Sequence, residues 1–233
     1  MRLLRRLALR LAPFLAAALT AACLPITAQA APNWLATTTL KPDGGHVLGN
    51  PQAPVRVTAW ISYTCPHCAA FERESDAPLK IGYLASGKVS LEIRHLLRDP
   101  VDATVAQLAN CGPATKFFGN HSAFMRGQGT WIQPLVSATA AQRQRWTTGD
   151  NAARRRAIAS DFHLYDIMEK RGYSRPELDR CLADDPLAQR IVTHTVEADK
   201  LGFDGTPAFA LNGTPLFGTS TWLALEAQIK ARL

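Results

Sequence analysis

The chain has 233 residues, 47% of them hydrophobic, which is enough for one large domain, or for a domain with an inserted subdomain, around a buried core. Its formal charge is +7, but four of the basic residues are arginines within the first ten positions; without them 22 basic and 19 acidic residues leave +3. A positive charge this small and scattered argues against a nucleic-acid-binding stripe, so no nucleic-acid partner is expected.

Residues 1–30 have the three parts of an export signal. A basic start is followed by an apolar stretch at 11–19 and by the small-residue pattern Ala-Gln-Ala at 28–30, after which cleavage is expected. The apolar run is too short to cross a bilayer of about 30 Å as a permanent helix. A lipoprotein signal ending at Cys23 is the weaker alternative, because Thr20 stands where a large aliphatic residue is preferred. We therefore expect the protein in the periplasm, an oxidising compartment in which disulfides persist.

The rest of the chain divides into four segments by composition and periodicity. Residues 31–48 are rich in Pro, Thr and Gly and are predicted to form an extended N-terminal arm. Residues 49–98 contain a predicted strand at 55–61, a helix that follows it, and a second strand at 89–96. Only helical patterns occur over 99–185, whereas 186–233 is predicted as helix, β-hairpin and helix. The sequence thus predicts an α/β fold with a large all-helical insertion between the two parts of one domain.

The most informative motif is Cys65-Pro66-His67-Cys68, directly after the strand predicted at 55–61. Pro66 is typical of the first position of a helix, which makes Cys65 the N-cap. At that position the helix N-terminus, a hydrogen bond from the Cys68 thiol and the dipole or charge of His67 would all stabilise a thiolate. Such contexts lower a cysteine pKa from about 8.5 to roughly 3.5–7.5 and favour the reduced pair over the disulfide. The motif predicts an oxidising pair in which Cys65 is the reactive sulfur.

Other uses of the pair remain open at this point. A structural zinc site usually needs a second CxxC motif or closely spaced histidines, and haem attachment needs a histidine in place of Ala69. A metal bound with help from distant residues, and an inert disulfide, are the remaining alternatives. The other histidines are dispersed and are predicted to be surface or satisfied core residues, at positions 46, 95, 121, 163 and 194. No metal site and no soluble cofactor is therefore assigned.

Two further cysteines, Cys111 and Cys181, stand near the ends of the helical segment. If Cys23 is removed with the signal, four cysteines remain, the even number that complete pairing requires. We favour a structural disulfide between Cys111 and Cys181, with two buried thiols as the alternative. Closing a loop of about 70 residues in this way would stabilise the fold by roughly 4 kcal/mol in the chain-entropy model.

Residues 55–72, taken together with the stretch Gly-Thr-Pro-Ala-Phe-Ala-Leu-Asn-Gly at 205–213, resemble the thioredoxin-like superfamily and specifically its periplasmic disulfide-bond protein A (DsbA) branch. The resemblance implies a thioredoxin-like fold with the helical insertion described above. It also implies that Pro207 is cis and faces the cysteines, and that Thr206 offers backbone groups to an extended peptide substrate. Tyr63 and Thr64, which precede the cysteines, are candidates to border the peptide groove.

The chain departs from that family pattern at one position and leaves a choice open at another. Six residues before the first active cysteine, relatives carry a buried acidic residue where this chain has Ala59. Proton transfer to or from Cys68 must therefore use water or another group. Thr206 also occurs in isomerase-type members, but these dimerise through a separate N-terminal domain, for which residues 31–49 are too few. A monomer is expected.

The function that the resemblance implies is that of an exported thiol–disulfide oxidoreductase. Such an enzyme oxidises cysteine pairs in newly exported proteins and is itself reoxidised by a quinone-linked membrane protein. The first alternative is a reductase or isomerase of the same fold. The second, from another class, is a metal-binding or peptide-holding module whose cysteines never turn over.

Overall fold

The computed structural model describes residues 32–233, so the predicted signal segment 1–30 and Cys23 lie outside the described residues. This part of the chain combines a six-stranded mixed sheet with ten α-helices. None of the helices in residues 32–233 is both long enough and apolar enough to cross a membrane.

The sheet has the strand order β1-β2-β4-β3-β5-β6, in which β3 and β4 are parallel and all other neighbours are antiparallel. Its strands are β1 (Thr38–Leu40), β2 (His46–Gly49), β3 (Val55–Ile61), β4 (Val89–His95), β5 (Ala208–Leu211) and β6 (Thr214–Pro215). β3 is rich in β-branched and aromatic residues, as strands with buried faces are. Because it lies between β4 and β5, it holds the centre of the sheet and carries the chain to Cys65.

The helices occupy three parts of the chain. Between β3 and β4 lies α1 (Pro66–Gly82), and α10 (Trp222–Lys230) follows β6. The chain between β4 and β5 is helical apart from its connections, with α2 (Pro100–Ala109), α3 (Phe117–Trp131), α4 (Pro134–Ser137), α5 (Ala140–Thr147), α6 (Asn151–Asp161), α7 (Leu164–Glu169), α8 (Arg175–Leu182) and α9 (Asp185–Lys200). Short 3-10 helices lie at Trp34–Ala36, Leu84–Ser86 and Ala114–Lys116.

The two faces of β3 enter different hydrophobic clusters. Val57 and Ile61 belong to a large core that continues through the helical segment and includes Phe124 of α3. Trp60 points to the opposite face and packs with Ala198 of α9 and with residues near β5. The sheet and the helical segment therefore share one core, which fixes α2 and α3 against the end of β3.

The segment expected to be an extended arm is part of the sheet. β1 and β2 form within residues 31–48, and β2 pairs along β4 from His46 opposite Ile93 to Gly49 opposite Ser90. The glycines and prolines in this stretch favoured an arm, but pairing with β4 satisfies the backbone groups of β2 and overrides that local preference.

A disulfide joins Cys111, just after α2, to Cys181 in α8. The Cys111 carbonyl also accepts a hydrogen bond from the Tyr173 hydroxyl at 2.8 Å. The bond closes a loop of 70 residues that contains α3 to α7. It therefore constrains the unfolded chain over most of the helical segment.

Four histidines that are distant in the sequence meet between the sheet and the helices. His46 (β2), His95 (β4), His121 (α3) and His194 (α9) are all buried. The His46 ring stacks on Phe117 with centroids 3.9 Å apart, and the His95 and His194 rings stack at 5.8 Å. His46 and His95 are both core residues, as one of the predicted alternatives has it, but within residues 32–233 their Nδ1 atoms have no hydrogen-bond partner, whereas Nε2 of His95 lies 3.0 Å from the Asn110 side-chain nitrogen.

Three of these histidines, His46, His95 and His194, are held in the neutral form. Burial and the neighbouring His194 lower the pKa of His46 to about 4, and burial with the same neighbour brings the pKa of His95 well below its usual range. Burial and the charge of Arg94 also lower the pKa of His194. Protonation of any of these rings thus favours the unfolded chain.

Replacing both Cys111 and Cys181 with alanine should lower the free energy of unfolding by roughly 4 kcal/mol, because the 70-residue loop is no longer closed. Urea unfolding of the oxidised proteins measures the difference. Each single alanine variant should lose about as much as the double variant, since either change removes the cross-link. Equal unfolding midpoints for the double variant and the wild type would show that the disulfide adds nothing.

Acidification should destabilise the protein between about pH 6.5 and pH 4, because the unfolded chain protonates its histidines near 6.5 whereas His46 protonates in the fold only near 4. The buried Asp102 acts in the opposite direction, since its pKa is raised to about 7, but it is one group against three lowered histidines. The His46→Phe variant should lose less stability over this range, by up to about 3 kcal/mol at roughly 1.4 kcal/mol per pH unit. Urea unfolding at several pH values tests this, and parallel stability curves for the two proteins would contradict it.

Candidate active site

Cys65 lies where the central strand β3 ends and α1 begins. Its backbone is extended, with φ −87° and ψ 120°, and it is the N-cap of α1, with Pro66 in the first turn. Its N–H donates to the Ser62 carbonyl at 3.3 Å, which closes the turn between strand and helix. The positive end of the helix dipole and the free N–H groups of the first turn therefore face the Cys65 sulfur.

The loop before β5 brings Thr206 and Pro207 to the same place. β5 runs antiparallel to β3 with Ala208 opposite Trp60, so the residues just before β5 lie beside the residues just after β3. The Thr206–Pro207 peptide bond is cis. The Cys65 thiol donates to the Thr206 carbonyl with 3.2 Å between Sγ and O.

The Cys65 sulfur is stabilised as a thiolate, with its pKa lowered to about 4. The largest cause is the hydrogen bond from the Cys68 thiol; burial acts against it, and the Thr206 hydroxyl and the N–H groups of Cys68 and His67 lower the pKa further. Among residues 32–233, the buried Thr206 Oγ1 atom has no other hydrogen-bond partner. It is therefore free to donate to the sulfur when Cys65 ionises.

The pKa of Cys68 is shifted in the opposite direction. It lies one turn inside α1, is 1% exposed, and burial raises its pKa well above the usual range. Its hydrogen bond to Cys65 and the charge there raise the pKa further. Both residues are free thiols in this structure. The Cys65 sulfur is therefore an anion at neutral pH, while the Cys68 sulfur keeps its proton and donates a hydrogen bond to Cys65.

A surface cavity of about 250 Å³ is lined by residues 203–208 and 216–220, which include Thr206 and Pro207 but neither cysteine. Cys65 itself is only 2% exposed, whereas Pro66 and His67 are exposed and Phe217 on the cavity wall is 69% exposed. A peptide in this cavity would lie against Thr206, whose carbonyl touches the Cys65 sulfur. The geometry thus places an apolar binding surface beside the reactive thiol.

Tyr63 and Thr64 differ from their predicted role at the edge of a peptide groove. Tyr63 is fully buried, and its hydroxyl lies 3.1 Å from Nδ1 of His121. Thr64 is 8% exposed, and its hydroxyl donates to Asp99 at 2.7 Å. Both side chains point into the helical segment because acceptors there satisfy their hydroxyl groups.

Two residues of the helical segment that the sequence did not single out hold the active-site turn. The Asp102 carboxylate of α2 accepts the Tyr63 N–H at 2.7 Å and the Ser62 hydroxyl at 2.6 Å. Gln128 of α3 donates to the carbonyls of Tyr63 and Cys65 at 2.6 and 2.9 Å. Burial raises the pKa of Asp102 to about 7 despite these hydrogen bonds. The only sequence signal was the polar character of two residues in otherwise apolar helix faces.

In residues 32–233, no cluster of three or more His, Cys, Asp or Glu side chains is arranged to hold a metal ion. The chemistry that the described arrangement supports is thiol–disulfide exchange. A stabilised thiolate, a buried partner thiol one turn away and a neighbouring peptide-sized cavity are the elements of that reaction.

Comparison with known proteins agrees with this geometry. A family model described as thioredoxin matches residues 41–231. The crystal structure of a protein-disulfide isomerase from Novosphingobium aromaticivorans is 51% identical, with a TM-score of 0.78, and the match covers 82% of this chain and 97% of that one. The structure of alpha-DsbA1 from Wolbachia pipientis has a TM-score of 0.59 over 79% of this chain and 88% of that one; at 22% identity it shows a shared fold.

Curated relatives are more distant. A putative protein-disulfide oxidoreductase from Rickettsia typhi is 28% identical over 171 residues, which is 72% of this chain and 54% of that protein. The chain thus spans about half the length of the curated relatives it matches. The family match, by contrast, extends over nearly all the residues that the structure describes, and it includes both cysteines and the Thr206–Pro207 bond. The chain belongs to the thioredoxin family.

Proposed function

We propose that the protein is an exported thiol–disulfide oxidoreductase that introduces disulfides into substrate proteins through the Cys65–Cys68 pair. The observation that supports this most directly is the opposite ionisation of the two sulfurs, with the Cys65 pKa near 4 and the Cys68 pKa raised. A stabilised thiolate lowers the free energy of the reduced pair relative to its disulfide. The oxidised protein therefore accepts electrons readily.

The reaction proceeds by two exchanges. A substrate thiolate attacks Cys65 in the Cys65–Cys68 disulfide, which forms a mixed disulfide and releases Cys68 as a thiolate that takes up a proton. A second substrate thiolate then attacks the substrate sulfur of the mixed disulfide, forms the substrate disulfide, and releases Cys65 as its stabilised thiolate. Two electrons pass from the substrate to the pair. The cavity beside Thr206 would hold the substrate during both attacks.

A reductase or isomerase is the second candidate. The relative with 51% identity is titled a protein-disulfide isomerase, which favours an activity on existing disulfides. An isomerase must be kept reduced, and a low Cys65 pKa stabilises the reduced pair as well. The direction of catalysis then depends on the redox potential of the pair and on the partner that restores it.

We place the protein in the periplasm, acting as a monomer on cysteine-containing exported proteins, with a quinone-linked membrane protein as its reoxidant. The signal pattern at 1–30 supports export. The Cys111–Cys181 disulfide supports an oxidising compartment, because structural disulfides are rare in reducing ones. The membrane partner is inferred from the family resemblance.

In the reduced protein, Cys65 should titrate near pH 4, followed by the ultraviolet absorbance of the thiolate. The Cys68→Ala variant should raise this pKa by about one pH unit or more, because it removes the largest stabilising hydrogen bond. Thr206→Val keeps the side-chain shape but loses the hydroxyl, and should raise the pKa by less. The Cys65→Ser variant is the control and should show no thiolate signal below about pH 8. A Cys65 pKa near the ordinary value of about 8.5 would overturn the proposed oxidant.

Equilibration with glutathione of defined redox ratio should show that the pair is more oxidising than the glutathione pool. The oxidised protein should then form disulfides in a reduced test peptide with two cysteines, whereas the Cys65→Ser variant should not. Stable oxidation of the pair by a weakly oxidising glutathione buffer would favour the reductase instead, and efficient repair of a scrambled substrate by the reduced protein would favour the isomerase.

A further inference from the structure

The proposed exchange moves a proton at Cys68 in every cycle. Cys68 is released as a thiolate when Cys65 forms a mixed disulfide, and it must then gain a proton. In the reverse direction it must lose that proton before it can attack. Burial raises its pKa, so its thiolate is unfavourable without a nearby acid and base. Ala59, on the neighbouring strand, has no group that can serve.

A cavity beneath Cys68 connects it to titratable groups. The cavity has a volume of about 20 Å³, and one water molecule needs roughly 10–15 Å³. Cys68, Glu72 and His121 all line it. Glu72 lies one turn after Cys68 on the same side of α1, and His121 reaches the cavity from α3. The cavity is thus large enough to hold one water in a space that these three side chains line.

The side chains of Glu72 and His121 form a buried pair. His121 Nε2 lies 3.5 Å from Glu72 Oε2, and His121 Nδ1 lies 3.1 Å from the Tyr63 hydroxyl. Glu72 is 9% exposed and His121 is 4% exposed. Burial raises the pKa of Glu72, but the hydrogen bond and charge of His121 outweigh it and hold the pKa at about 2. The carboxylate is therefore ionised and lies against the His121 ring.

Polar and ionisable groups surround the Glu72–His121 pair, some on the side facing solvent and others on the side facing the core. Ser75, Asp76 and Lys80 continue the cavity wall along α1, and the Lys80 ammonium lies 2.5 Å from Asp76 with 35% of its side chain exposed. The other ionisable or polar groups that act on the pair come from four elements and connections: Ser122 on α3, Tyr63 before α1, His46 on β2 and His95 on β4.

Asp102 is the competing proton carrier, since it is also buried beside the active-site turn. Its carboxylate already accepts three hydrogen bonds, from Ser62, Tyr63 and Arg98. It does not line the cavity under Cys68. Its position therefore fits a residue that holds the turn, whereas Glu72 and His121 share a space with the sulfur.

We propose that His121, oriented by Glu72, takes the proton of the Cys68 thiol and returns it to the Cys68 thiolate, through one water in the shared cavity. When Cys68 attacks, its thiol loses the proton and the His121 imidazole becomes an imidazolium that faces the Glu72 carboxylate; when the Cys68 thiolate is released, the imidazolium returns the proton and becomes neutral again, so charge and protons balance. His121 is the proton carrier, and Glu72 is a positioning residue that acts through it. This role rests on the proposed function, because Cys68 needs a carrier only if the pair turns over.

The test is the step in which Cys68 attacks a mixed disulfide. Reduced protein is mixed with excess glutathione disulfide, and acid-quenched samples are analysed by mass spectrometry. Cys65 first forms the glutathione adduct, and Cys68 then displaces glutathione at a rate independent of its concentration. In Glu72→Gln and His121→Asn this second rate should fall at least about tenfold near pH 7, the lower part of the range for general acid–base catalysis. The deficit should shrink as the pH rises, because hydroxide then removes the Cys68 proton.

Glu74→Gln is the matched control, since it makes the same change on the same helix at an exposed position outside the cavity. It should keep the wild-type rate, and Glu72→Asp should recover part of it. Rates of adduct formation by Cys65 should change little in every variant. Wild-type second-step rates and pH profiles in folded Glu72→Gln and His121→Asn would overturn the proposal, as would a loss confined to Asp102→Asn. A wild-type protein that never releases glutathione from the adduct would instead overturn the proposed function itself.

Discussion

The site depends on the hydrogen bonds that tie the turn between β3 and α1 to the helical segment. Asp102 and Gln128 together occupy one backbone N–H and two backbone carbonyls of the residues from Tyr63 to Cys65. Without them the Tyr63 N–H and carbonyl would be buried without partners, at a cost of about 1–3 kcal/mol each. The helical segment is therefore the rigid support of the turn, and it fixes Cys65 at the position where Thr206 and the helix N-terminus meet its sulfur.

The two active-site sulfurs differ in charge although they lie only one helical turn apart. Cys65 is favoured as an anion by donors on one side, while Cys68, one turn away, remains protonated because apolar burial opposes its charge. The same helix then places an ionised Glu72 against His121. Helix α1 thus carries polar groups along a face that would ordinarily be apolar. A buried carboxylate in such a place is costly unless it is paired, and its pairing with a histidine is what makes a functional role reasonable.

Local signals in the sequence predicted the parts of the fold that depend on neighbours along the chain. β3 extends over 55–61 as predicted, and Cys65 is the N-cap of α1. What local patterns could not supply is the pairing of distant segments. β2 forms only because β4 lies beside it, and the four buried histidines come from four separate elements.

The same limit explains what was missed at the site. Cys65 and Cys68 could be recognised because both reactive thiols lie within four consecutive residues of the chain. Asp102 and Gln128 lie about 40 and 65 residues from the turn they hold, and nothing in their own neighbourhood marks them. Tyr63 was expected at the surface because its neighbours are reactive, but the partner that buries it, His121, comes from α3.

Because of the Cys111–Cys181 bond, the helices that hold the active-site turn are sensitive to the redox state of their surroundings. Gln128 lies inside the loop that this bond closes, and Asp102 lies in the helix that precedes Cys111. Surroundings reducing enough to open the bond would release the cross-link on the helices that carry both contacts. A reducing compartment would then act on the protein twice, because it would reduce the Cys65–Cys68 pair and also loosen the helices that hold the turn carrying it.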